Sequence, residues 1–330
     1  MSLATTADAF QRRHRWASFP IGVIYKYNDD QGSNLAALIT YYGFLSLFPL
    51  LLLLSSILGF VLRSDTALQH QVLHSTLAQF PIIGGDLAQP KRLGGHGFGL
   101  AVGIIGSLYG GMAVASAGQN AMNTIWAVPR NERPNPLTSR LRSLLLLATV
   151  GIGVLLTSVL AALAGSAHAY GATMGGTLRV VLTVGAVVVN AGLFLLAFRI
   201  ATATDVAWRS LLPGACVAAV AWQLLQLFGT AYVGHVVKHA SATDGVFALV
   251  LGLIAWIYLG AVVVLLCAES NVVRARELYP RALLTPFTDD VELTPGDERS
   301  YRDTARAQRF KGFQRIWVSF RRHDRDAADT

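Results

Sequence analysis

The sequence predicts an all-α, polytopic integral membrane protein: six transmembrane helices, an amphipathic helix in the first outer loop, and both termini in the cytoplasm. Three observations predict it. Of 330 residues, 53% are hydrophobic and only 14% charged, whereas an ordinary soluble domain carries roughly 25% charged residues. Charge is absent from residues 31–62, 93–129, 143–178, 180–198, 210–237 and 245–268, and a helix needs about 20 mostly apolar residues to cross the hydrocarbon layer. Arginine and lysine gather in alternate connections. Two cysteines exclude a disulfide scaffold, and the apolar content excludes a disordered chain.

Residues 1–33 are expected to form a cytoplasmic segment with an interfacial helix, because Trp16, Phe19, Val23 and Ile24 stand beside Arg12, Arg13 and Arg15. The first apolar run is too long for the core of a cleavable signal peptide, so it reads as a span. Trimmed by hydropathy, the spans lie near 37–62, 98–120, 143–165, 180–199, 211–234 and 246–268, within a transmembrane domain at 34–272. Between the first two, residues 66–85 carry Gln69, His70, Gln71, His74 and Gln79, with Leu68, Val72, Leu73, Leu77 and Phe80 at helical spacing. That run is read as the outer amphipathic helix, with an irregular surface loop as its alternative. Residues 273–330 are the cytoplasmic tail. There Phe310, Phe313, Ile316, Trp317 and Phe320 share one helical face among Arg309, Lys311, Arg315, Arg321 and Arg322, the pattern of a second interfacial helix. The last eight residues are expected to be disordered.

Orientation follows from Arg12, Arg13, Arg15 and Lys26 in the N-terminal segment, and from Arg130, Arg133, Arg140 and Arg142 between spans two and three. Arg199 and Arg209 follow between spans four and five, then Arg274, Arg276 and Arg281 after span six. The opposite loops are poorer in arginine and lysine, which places both termini inside. The net charge is +8, yet residues 268–330 hold twelve basic and eleven acidic side chains. The surplus therefore lies close to the membrane and suits anionic phospholipid headgroups rather than nucleic acid.

The spans carry the candidate functional residues. Tyr41, Tyr42 and Ser46 precede Pro49, which removes a backbone donor and should kink the first helix. Gly103, Gly106 and Gly110 lie in a second span rich in small residues, suited to close packing or to a mobile helix. Asn120, Asn123, Asn190 and Gln226 should face inward, because an unpaired amide in hydrocarbon costs several kcal/mol. They act either as inter-helix ties or as the lining of a polar pathway. Arg130, Arg133, Arg140 and Arg142 are candidates to gather anionic headgroups. Glu269, ending the sixth span, is expected to be exposed or to pair with Arg199 or Arg209. His235 and His239 are four apart but lack the intervening glutamate of a zinc hydrolase. Cys216 and Cys267 read as small packing residues. No Walker loop or nucleophile elbow is present, so neither an enzyme nor any cofactor or metal is expected.

Three blocks resemble the YihY/BrkB family of bacterial inner-membrane proteins: residues 41–50 (YYGFLSLFPL), residues 108–123 (Leu108-Tyr109 through Gln119-Asn120-Ala121-Met122-Asn123), and residues 243–269. The third holds Thr243-Asp244-Gly245-Val246, Leu253-Ile254-Ala255-Trp256-Ile257-Tyr258-Leu259 and Leu265-Leu266-Cys267-Ala268-Glu269. Asp244 stands where the family usually has tyrosine, and Cys267 where it has glycine. The likeness covers roughly residues 15–275. It implies a six-helix inner-membrane protein, for which transport of a lipid or envelope precursor has been suggested; a former ribonuclease label finds no metal-ligand cluster here. The expected function is a transporter or flippase-like protein for an amphipathic, anionic envelope lipid or precursor. The alternative is a non-transporting scaffold or assembly factor. Membrane lipids are the expected partners, with a homo-oligomer or an envelope protein left open.

Overall fold

The computed structural model describes residues 3–61, 98–166, 175–236, 242–288 and 291–320; the far ends of the long helices, at 48–61, 98–103, 158–166, 175–180, 230–236 and 242–249, are described as backbone alone. The outer helix expected at 66–85, the end of the tail and His239 lie outside the described residues.

Long uncharged runs have one economical way to satisfy their own N–H and C=O groups away from water, which is to close hydrogen bonds within the segment. Among the described residues six long helices result: α3 (Gly32–Val61), α4 (Phe98–Ile125), α5 (Pro136–Ser166), α6 (Gly175–Ala201), α7 (Trp208–Val236) and α8 (Ala242–Ala275). Each contains most or all of one expected span. Among the described residues, four stretches are long and apolar enough to cross a membrane: Pro136–Thr157, Thr183–Ala201, Trp208–Gly229 and Val250–Ala275. Their outward faces carry Leu144, Leu155, Val184, Val188, Leu224 and Phe228, all exposed. An apolar surface this extensive is stable against lipid and not against water. The chain is an all-α, multi-pass membrane protein.

The helices pack as a closed ring. Each of α3 to α8 lies against its neighbours in sequence, and α8 returns to α3. Small residues set the closest approaches. A Cβ on Gly110 would stand 2.8 Å from that of Ser46, and one on Gly111 2.9 Å from the Leu147 methyls. The tightest crossing is α7 on α8. There a Cβ on Gly214 would overlap the Cys267 carbonyl oxygen and lie 2.5 Å from Asn271 Nδ2, while the Gly214 N–H donates to Asn271 Oδ1 at 2.7 Å. Gly214→Ala is expected to cost about 1–3 kcal/mol through overpacking, read as a lowered midpoint of thermal unfolding in detergent.

The remaining elements form a layer at one end of the ring: α1 (Leu3–Arg13), α2 (Arg15–Asp29), a 3-10 turn at Arg130–Glu132, and α9 (Pro295–Ala307). Tyr25 donates to the Leu283 carbonyl at 2.6 Å and Gln11 to the Arg281 carbonyl, so the N-terminal helices and the segment after α8 lie on the same face.

The two stretches read as interfacial helices both belong to this layer. The N-terminal interfacial face is divided: Val23 is buried and Phe19 packs on the core, while Trp16 (72% exposed) and Ile24 face outward. The helix lies against α8, so half of its apolar face is used in the fold. The tail residues Phe310 to Phe320 form no helix. The helix sits earlier, at α9, where Thr294 and Asp297 form a capping box with Pro295 at its first position. Beyond Gln308 the chain is held by the second and third spans' connection instead. The Asn131 N–H donates to the Arg309 carbonyl at 3.1 Å, Arg309 pairs with Glu132, and Arg130 lies over the Phe310 ring at 4.9 Å.

Candidate functional site

The end of α2, its turn into α3 and the last turns of α8 bring three ionisable side chains together inside the protein. Lys26 and Asp30 are four apart in sequence, and Asp30 caps α2 with its N–H on the carbonyls of Lys26 and Asn28. Gln31 then takes a left-handed φ of 54° and turns the chain into α3. Gly32 is required there, since a Cβ would collide with the Tyr27 ring. This geometry aims both Lys26 and Asp30 at α8.

The Lys26 ammonium donates to Asp30 Oδ2 and, at 3.2 Å, to the carbonyl of Ile125 at the end of α4. That position also matches the negative end of the helix dipole. Glu269 Oε2 of α8 lies 3.7 Å from the same nitrogen. Lys26 and Glu269 are completely enclosed and Asp30 nearly so, among Ala36, Ile125, Ala268 and Val272. Burial raises the Asp30 carboxyl above the ordinary carboxylate range, against the opposing pull of Lys26.

Glu269 is thus neither exposed nor paired with Arg199 or Arg209, as the sequence suggested. Arg199 is occupied by its own turn, reaching Asp205 Oδ1 at 2.7 Å and the Val206 carbonyl at 2.6 Å, and Arg209 is exposed. At the height of Glu269, α8 is covered by α2. Lys26 and Asp30 were not among the candidates. The signal for them was a lysine and an aspartate one helical turn apart beside Val23, Ile24 and Tyr27, which marks a polar pair on an otherwise apolar helix.

The other candidate residues do not converge. Tyr41 points outward, 62% exposed, against the expected inward direction, with its ring edge-on to that of half-buried Tyr42 at 5.2 Å. Ser46 donates back to the Gly43 carbonyl at 2.9 Å. Asn120 is exposed and accepts from Arg133 at 3.1 Å. Asn123 is buried and accepts from the Ala203 N–H at 2.8 Å, tying the end of α4 to the turn after α6. Asn190 and Gln226 are half-buried on α6 and α7. Gly106 is half-buried and Gly110 buried against α3. Of Pro49, Gly103 and His235 only the backbone, helical at each, is described. Two further amides also bridge helices: Gln119 reaches Ser143 Oγ at 2.7 Å and Asn271 the Leu211 carbonyl at 3.1 Å. Asn123→Ala would strand the Ala203 N–H; the expected cost is about 1–3 kcal/mol, measurable by thermal unfolding.

The arginines of the second connection are partly committed. Arg130 donates to Gln308 at 3.1 Å, Arg133 to the Val128 carbonyl at 3.3 Å, and Arg142 to the Thr202 carbonyl at 3.3 Å. Arg140 is exposed. Burial and the neighbouring Arg130 lower the Arg133 pKa.

A second buried constellation fastens the end layer. Arg281 is fully enclosed; its Nε donates to Asp297 Oδ1 at 2.6 Å and its Nη2 to Asp29 Oδ2 at 2.8 Å. The Tyr25 and Tyr301 rings flank the guanidinium at 5.7 and 5.5 Å. Burial opposes its charge, but Asp29 and Asp297 outweigh that and raise its pKa. Asp297 is also satisfied by the N–H groups of Ala282 (3.0 Å) and Thr294 (2.9 Å). This cluster joins α2, α9 and the segment after α8, and its bonds are all internal.

Among the described residues, no three His, Cys, Asp or Glu side chains come together as a metal site. The chain is similar to the inner membrane protein YhjD of Escherichia coli, at 25% identity over 286 residues, covering 81% of this chain and 83% of that protein. It is also similar to a UPF0761 membrane protein of Pseudoalteromonas atlantica, at 28% identity over 172 residues, covering 51% of this chain and 56% of that one. No solved structure matches it. The family model described as virulence factor BrkB matches residues 23–289, a stretch that includes every span and the buried Lys26, Asp30 and Glu269, and the chain belongs to that family.

Proposed function

We propose that this protein is a six-span transporter of the bacterial inner membrane, flippase-like, for an amphipathic and anionic envelope lipid or precursor. In this reading α3 and α4 cross the bilayer with the other four long helices. The face carrying both termini is cytoplasmic, since Arg130, Arg140, Arg142, Arg209 and Arg274 all border it. The observation that carries the proposal is the buried group of Lys26, Asp30 and Glu269. Three ionisable side chains enclosed at the end of a lipid-embedded bundle are costly, and such groups mark ion or substrate pathways by default. Exposed Arg140 and the arginines around it supply an entry surface for an anionic headgroup.

The test is flux. The purified protein is reconstituted into vesicles containing a headgroup-labelled anionic phospholipid, and exchange between leaflets is followed with and without a pH gradient. Exchange faster than in protein-free vesicles is expected. Exchange no faster than in protein-free vesicles, with or without the gradient, would overturn the reading.

A scaffold function is the second reading, favoured by Gln119, Asn123 and Asn271, which tie helices together rather than line an opening. A stoichiometric envelope-protein partner captured by cross-linking in membranes, with no flux, is its expected signature.

A further inference from the structure

We infer that Asp30 and Glu269 form a proton-binding site, holding one exchangeable proton between their carboxyl groups beside the Lys26 ammonium. The argument is charge balance. With all three groups ionised, one ammonium faces two carboxylates, leaving a net negative charge where almost no solvent reaches. An uncompensated buried charge is among the least favourable arrangements in a protein. The two carboxyl groups face the same Lys26 nitrogen, Glu269 Oε2 at 3.7 Å, but as two carboxylates they have no donor between them. Neither Glu269 oxygen finds a donor elsewhere. A single proton removes both defects, making the group neutral and giving the pair its hydrogen bond. A metal cation fits worse, because the Lys26 nitrogen stands 3.7 Å from Glu269 Oε2 and already supplies the positive charge.

Among the described residues, the surroundings contain no second basic group to take that role. From α2 come Lys26, the Tyr27 phenol and Asp29, and Asp29 is engaged by Arg281. From α8 comes Tyr258 beside Tyr27, and from α4 the Ile125 carbonyl on Lys26. Release of the proton leaves α2 and α8 repelling each other at this point, and binding draws them together. This deepens the transport reading, on which its functional part rests: the site supplies proton coupling to a protein with no nucleotide motif.

The experiment is infrared spectroscopy of the full chain in nanodiscs, following the carbonyl stretch of protonated carboxyl groups as pH is raised from neutral. The wild type is expected to show a protonated band at neutral pH that disappears at alkaline pH. In Glu269→Gln and in Asp30→Asn the band is lost, because each leaves a neutral pair with Lys26; for the same reason both are expected to fold. In Lys26→Met it persists to higher pH. A wild type without the band at neutral pH, or a band unchanged in Glu269→Gln, overturns the site. Flux separates the two claims. Gradient dependence present in the wild type and lost in Glu269→Gln supports coupling. Gradient-independent exchange in the wild type, with the band present, overturns coupling alone. Absence of any flux overturns the transport reading and leaves the proton site standing.

Discussion

Arg281→Met is expected to destabilise the protein by about 3–5 kcal/mol, the range for removing one partner of a buried ion pair. Methionine fills much of the same space, so the loss is electrostatic. Asp297 would keep its two backbone donors but lose the guanidinium, and Asp29 would retain only Ser300 at 3.3 Å. Arg281→Lys should recover only part of the loss, since an ammonium cannot span both carboxylates with a planar fork. The readouts are thermal unfolding in detergent and limited proteolysis. Cleavage should begin in the N-terminal helices and α9 while α5 to α8 remain protected, because Arg281 joins α2 to α9 and takes no part in the ring. Uniform loss of protection across the chain would contradict that assignment.

Lys26→Met is expected to cost a similar amount, about 3–5 kcal/mol at neutral pH, but with a different dependence on pH. It leaves Asp30 and Glu269 facing one another without a cation. The penalty should shrink as acid supplies the second proton, and adding Glu269→Gln should restore most of the stability by removing one of the two acids. In the wild type the sign is set by Asp30. Its folded pKa is raised above the unfolded value by burial, so its contribution to stability is fully present below the ordinary aspartate range. That contribution is lost as pH rises through the raised value. Thermal midpoints of the wild type should therefore fall as pH rises through that window, and those of Glu269→Gln should fall less. A Lys26→Met protein with wild-type stability at neutral pH, or one not rescued by Glu269→Gln, would show that the three groups do not act as a unit.

The long helices were legible because their signal is local. The run Leu50–Leu54, or Val262–Leu266, must be helical and must leave water wherever it is placed, and hydropathy finds it without knowledge of its neighbours. The helix α9 was equally legible in Thr294-Pro295-Gly296-Asp297, a capping box with proline at the first position, although the aromatic residues after it drew attention further along the tail. The spacing of Phe310, Phe313 and Trp317 was misleading. Helical periodicity is only permissive: Arg309 is engaged by Asn131 and Glu132, and the chain after it makes a turn at Lys311–Gln314 in place of a helix.

The candidate site was legible only in part. Glu269 stood out as an acid at the end of an apolar span, but its partner did not, because Lys26 lies more than two hundred residues away. Arg281 resembled any other arginine in a charged tail until α2 and α9 enclosed it. Asn123 read as an inward amide, and whether it lined a pathway or tied helices depended on the Ala203 N–H opposite it.

What the sequence determined by itself was therefore the membrane class, the position of the helices and the face that gathers arginine, since each follows from the transfer of short segments between water and lipid. The tertiary structure alone decided that Lys26, Asp30 and Glu269 meet out of solvent and that Arg281 holds both ends of the chain together. The strength of a charge interaction depends on distance and on the surrounding medium, and neither exists until the helices have packed.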